Sequence, residues 1–97
     1  MTCIHYYYIG LNDQDTHKQK YNYNTYIKML RNILLKYDVL AYTFYKVTGS
    51  WRNELENTIK LELSDDFLTN ECLLELKEVF NQECILHIRV ASDNMFI

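Results

Sequence analysis

An α+β domain of the ferredoxin-like kind is predicted by this sequence: two helices covering one face of a four-stranded antiparallel sheet in the order β-α-β-β-α-β. Two stretches repeat their apolar residues every three or four positions, four others are β-branched, aromatic or alternating, and they occur in that order. The 97 residues suffice for one hydrophobic core, so 1–97 is read as a single domain.

Cys3 to Leu11 is β-branched and aromatic and gives way to Asn12-Asp13-Gln14-Asp15-Thr16, a first strand followed by a polar loop. Tyr23, Tyr26, Ile27, Leu30, Ile33, Leu34 and Tyr37 then fall on one helical face, with Asn22 or Asn24 as N-cap. Val39 to Val47 is a second strand, and Thr48-Gly49-Ser50-Trp51-Arg52-Asn53 carries turn chemistry. Asn57 to Leu63 alternates, with Ile59, Leu61 and Leu63 on one side and Thr58, Lys60 and Glu62 on the other, as in a sheet covered on one face. Thr69 caps a second helix whose stripe is Cys72, Leu73, Leu76, Val79 and Phe80, ending near Asn81. Glu83 to Ala91 forms the last strand, and Leu30, Leu61, Leu76 and Leu86 are assigned to the core.

Right-handed crossovers give these strands the spatial order 4-1-3-2. The end of strand one, the hairpin and the start of strand four then share one edge of the sheet. Three polar segments meet there and supply candidate binding residues: Asn12, Asp13 and Asp15; Trp51, Glu56 and Asn57; and Gln82 and Glu83. Asx side chains at such positions also cap helices and close turns, a purely structural alternative.

Charge is unevenly spread. Residues 1–52 sum to +4 and 53–83 to −7, within a net charge of −3. An acidic half disfavours nucleic acid, whose affinity rests on Lys and Arg neutralising phosphates. Glu71, Glu75 and Glu78 line the outer side of helix two and suit a basic, nucleic-acid-binding protein partner, unless they are solvated or paired with Lys28, Arg31 and Lys36 of helix one. The uncovered sheet face must carry tyrosines or Phe44, which fits a homodimer or partner interface.

No metal or cofactor is expected. Cys3, Cys72 and Cys84 lack CxxC spacing and read as free thiols, and with His5, His17 and His87 they match no zinc-ligand pattern. Asp13 and Asp15 lack the glycine and further acids of a calcium loop. Nothing pairs a Ser or Cys nucleophile with an oriented base, so the chain is expected not to be an enzyme. Neither a membrane span nor a signal peptide is evident, which places the protein in the cytoplasm.

Tyr8-Ile9-Gly10-Leu11-Asn12-Asp13-Gln14-Asp15-Thr16, Gly49 and Trp51 with Glu56-Asn57-Thr58, and Phe80-Asn81-Gln82-Glu83 resemble small uncharacterised phage and prophage proteins of low-GC Gram-positive bacteria. Gln14 departs from the lysine of that pattern, and Ser92 to Ile97 has no counterpart in it. The resemblance implies a phage accessory protein acting in the host cytoplasm by binding and inhibiting or redirecting a host protein, such as a CRISPR-type defence component. The alternative is a module that binds or sequesters a nucleotide-like small molecule at the polar rim.

Overall fold

The computed structural model describes residues 2–92, so the tail beyond Ser92 lies outside the described residues. β1 (Thr2–Gly10), α1 (Tyr23–Lys36), β2 (Thr43–Trp51), β3 (Glu54–Ser64), α2 (Asn70–Val79) and β4 (Leu86–Ser92) follow in order. All strand pairings are antiparallel and the sheet runs β2-β3-β1-β4, the predicted ferredoxin-like arrangement.

Local chemistry sets the helix boundaries. The Asn22 side chain accepts from the Thr25 backbone N–H at 2.9 Å, and the Thr69 hydroxyl accepts from that of Cys72 at 3.2 Å, each satisfying an amide that the first helical turn leaves unpaired. α1 buries Tyr26, Leu30, Ile33 and Leu34, and α2 buries Cys72 and Leu76, against Tyr7, Ile9, Ile59, Leu61 and Leu63 of the sheet. Val79, counted in the apolar stripe, is exposed, whereas Phe80 beside it is buried in the core. Burial pushes the Cys72 thiol up to about 11, which leaves it an inert core group.

The β2–β3 hairpin is longer than the sequence suggested. Its loop is only Arg52 and Asn53, both at positive φ (52° and 64°), the backbone of a type I′ turn. Pairing therefore continues to Trp51 opposite Glu54, and Gly49 sits within β2 instead of in a turn. At the other end Val39 lies before β2 and is buried in the core.

Leu86 is the core assignment that fails. β4 pairs Leu86 with Tyr8, Ile88 with Tyr6 and Val90 with Ile4, and these β1 residues face away from the helices because His5, Tyr7 and Ile9 face toward them. Leu86 is accordingly 57% exposed. Facing the helix side instead, His87 stacks on Tyr7 at 4.4 Å, and its Nε2 lies 2.7 Å from His5 Nδ1. Burial, together with neighbouring His87 and Arg89, holds the His5 pKa below its usual value. Leu30→Ala, Leu61→Ala and Leu76→Ala should each cost about 2–5 kcal/mol in urea denaturation, because each removes a fully buried side chain. Leu86→Ala should cost no more than about 0.5 kcal/mol, as surface substitutions do; equal losses in all four would refute this assignment of faces.

Candidate functional site

The open face of the sheet is aromatic, with one cation at its centre. Lys60 Nζ stands 4.6 Å from the Tyr6 ring centroid, 5.6 Å from that of Tyr45 and 5.8 Å from that of Tyr8. Toward the hairpin end this face sinks into a hollow of about 470 Å³, a size suited to a small ligand.

Two glycines explain the hollow. Gly10 on β1 pairs with Thr58, and Gly49 on β2 pairs with Glu56, so both flank β3 on the open face. They are the only glycines in the chain, and neither has positive φ, so the backbone does not require them. Space does. A Cβ on Gly10 would stand 2.5 Å from Glu56 Oε2 and 2.6 Å from Cδ and Oε1, and one on Gly49 would stand 3.0 Å from Thr58 Oγ1. The Glu56 carboxylate thus lies flat across the bare backbone of β1, where Oε2 accepts from the Asn12 N–H at 3.1 Å. Oε1 accepts no hydrogen bond from any described residue.

The walls come from the three segments that topology brings together. Gln82 Nε2 donates to the Asn12 carbonyl at 2.7 Å, Gln14 N–H donates to the Asn81 carbonyl at 3.0 Å, and Arg52 Nη2 reaches Glu83 Oε1 at 3.0 Å. His17 Nδ1 lies 3.2 Å from Glu54 Oε1. Trp51, Ile85 and Leu86 add apolar surface, and the Arg52 guanidinium sits 5.7 Å from the Trp51 ring.

Of the residues singled out from the sequence, Asn12, Asp13, Trp51, Glu56, Gln82 and Glu83 line this hollow. Asp13, however, is a structural residue. Its Oδ1 accepts from the Asp15 and Thr16 N–H groups, and its Oδ2 accepts from Asn81 Nδ2 at 2.8 Å, an amide that also donates to Asp15 Oδ2. Asn57 faces the other way by strand alternation and donates to Gln19. Glu71, Glu75 and Glu78 lie on the helix layer, away from the hollow. Lys36 Nζ, at 2.7 Å, and the Tyr37 hydroxyl, at 2.9 Å, engage Glu75 and hold its carboxyl below the usual range. The sequence reading missed Tyr8, Gly10 and Leu86. A glycine inside a strand pattern, with no turn to explain it, was the signal available at Gly10.

The Asn81 side chain and the Asp15 and Thr16 N–H groups hold the Asp13 carboxyl below the usual aspartate range. A depressed folded pKa means that the charged form stabilises the fold above the unfolded value of about 4, and that this stabilisation is lost as pH falls through the folded pKa. Asp13→Asn should therefore flatten the acid limb of stability. Urea midpoints measured from about pH 3 to pH 7 check this, and an unchanged acid limb would contradict it.

No family model matches the chain, and no curated protein matches it. Solved structures do share its fold. A phage SAM lyase in the apo state aligns with a TM-score of 0.66 and 22% identity over 91% of this chain and 78% of its own. A phage SAM lyase in complex with S-methyl-5′-thioadenosine aligns with a TM-score of 0.61 and 20% identity over 92% of this chain and 80% of its own. This likeness stands against the expectation that the chain is not an enzyme, since both of these solved structures with its fold are of a lyase. Among the described residues no helix is long and apolar enough to cross a membrane, and no group of three or more His, Cys, Asp or Glu could hold a metal ion.

Proposed function

We propose that this protein is an enzyme of phage origin that cleaves S-adenosylmethionine and releases S-methyl-5′-thioadenosine from the hollow above Gly10 and Gly49. The observation that carries this reading is a ligand-sized hollow, cleared by two glycines and holding the Glu56 carboxylate, on a fold aligned over nine-tenths of the chain with a SAM lyase holding S-methyl-5′-thioadenosine. Both solved structures are phage proteins, in keeping with the resemblance of the sequence to phage and prophage proteins. The rim alternative, a site for a nucleotide-like molecule, is better supported than inhibition of a host defence protein, for which neither structure nor likeness offers support.

The residues suit the chemistry. S-adenosylmethionine carries a sulfonium, and Glu54 and Glu56 at the hollow favour a cation, the Glu83 carboxylate being matched by Arg52. The free Oε1 of Glu56 is an acceptor for a ligand hydroxyl, and S-methyl-5′-thioadenosine presents two on its ribose. Trp51 and Tyr8 offer ring faces for a purine.

A lyase adds no water, so release of the thioether must break the bond from sulfur to the methionine γ-carbon, with the electron pair staying on sulfur. The substrate's own carboxylate oxygen can form the replacing bond to that carbon, giving a five-membered lactone with no proton gained or lost. Opposite charges vanish in this step, so a water-poor surround accelerates it. Leu86, Ile85 and Trp51 supply apolar walls for that purpose. The protein then has to bind and fold the substrate, with no nucleophile of its own.

Calorimetric titration with S-methyl-5′-thioadenosine tests the site. Saturable binding, about one molecule per protein chain, is expected at about micromolar to millimolar concentration. Absence of binding at millimolar ligand by folded protein would remove the reading.

A further inference from the structure

We infer that Arg52 is the specificity residue that receives the substrate's carboxylate, in exchange for the Glu83 carboxylate that it pairs with. This rests on the S-adenosylmethionine reading and names the contact that would separate the amino-acid end of the substrate from the nucleoside end. Arg52 is the only lysine or arginine among the described residues lining the hollow, where the other charged groups are carboxylates and His17 is turned to Glu54. A ligand with a carboxylate therefore has one fixed positive partner at this site.

The backbone gives an independent reason. Arg52 occupies the first central position of the type I′ loop at φ 52°, where glycine, asparagine or aspartate would meet less steric resistance. A long side chain held against local preference at a site's rim marks a functional constraint more than a structural one. Trp51 steadies its guanidinium at 5.7 Å, and Glu83 takes Nη2 through one oxygen at 3.0 Å. Both members of this pair are more than half exposed (65% and 51%), so it is weak and readily exchanged. A substrate carboxylate seated as Glu83 is, by one oxygen, keeps its second oxygen free to attack the γ-carbon.

Two ligands and two variants test this. Sinefungin keeps the amino-acid carboxylate of S-adenosylmethionine but has no sulfonium to cleave; S-methyl-5′-thioadenosine has no carboxylate. Arg52→Gln is expected to weaken sinefungin about tenfold or more while leaving S-methyl-5′-thioadenosine within about twofold, since only the former loses a charge-assisted bond. Glu83→Gln frees Arg52 and is expected to tighten sinefungin about two- to fivefold. Equal weakening of both ligands by Arg52→Gln, no weakening of either, or weaker sinefungin binding in Glu83→Gln would overturn the assignment while the wider reading stands. If the wild-type protein binds neither ligand, the S-adenosylmethionine reading falls and the assignment falls with it.

Discussion

Glu56→Gln is expected to lower kcat/KM for S-adenosylmethionine by about 10- to 100-fold, the equivalent of a hydrogen bond to a charged group worth about 1.5–3 kcal/mol. The carboxylate spends Oε2 on the Asn12 N–H, and Oε1, on a residue that lines the hollow, accepts no hydrogen bond from any described residue. Glutamine keeps the shape and an acceptor for one of these bonds but not the charge for both. Stability should change little, because Glu56 is only partly buried and its loss leaves the core cluster untouched. Steady-state kinetics beside a urea melt separate the two effects. Wild-type kcat/KM in a folded Glu56→Gln variant would remove this residue from the site.

Gly10→Ala should give a comparable or larger loss from a single methyl group placed on the opposite strand. Its Cβ would stand 2.5–2.6 Å from all three atoms of the Glu56 carboxylate group, so that group must move. The end of a flexible side chain moves cheaply, and alanine suits a strand no worse than glycine, so the fold should hold within about 1 kcal/mol. The function should not hold. A displacement of about 1 Å in a positioning group can cost about 100-fold in rate. At Gly49 the added Cβ would press only Thr58 Oγ1, at 3.0 Å, so Gly49→Ala should lose less than Gly10→Ala. A Gly10→Ala variant as active as the wild type would mean that the glycine serves the backbone and not the hollow.

The fold was legible because its signals are local. The helix stripe from Tyr23, the caps at Asn22 and Thr69, and the alternation of Ile59, Leu61 and Leu63 each need only a few neighbouring residues to be read. From the order of elements, the meeting of the Asn12, Trp51 and Gln82 segments at one sheet edge follows by topology. What escaped depends on cross-strand partners. β4 offers two alternating sets, and only its pairing with β1 puts Leu86 beside Tyr8 on the open face. Gly49 resembled a turn residue because Thr48 to Asn53 is rich in turn formers, whereas the loop closes on Arg52 and Asn53 alone. Gly10 shows its purpose only once Glu56 is known to lie across it, 46 residues further along the chain. The acids of the Asn12 to Thr16 loop were legible as residues but ambiguous in role. Asp13 and Asp15 bind Asn81 and local backbone, whereas Glu56 keeps an oxygen free.

The most direct measurement follows S-adenosylmethionine and its products by chromatography and proton NMR in one sample of purified protein. The account predicts S-methyl-5′-thioadenosine and a four-carbon amino-acid lactone appearing in equal amounts, with no oxygen taken from labelled water into freshly formed lactone. It predicts as well that the rate depends on Glu56 and Gly10. S-adenosylmethionine that decays no faster with folded wild-type protein than in buffer alone would contradict it.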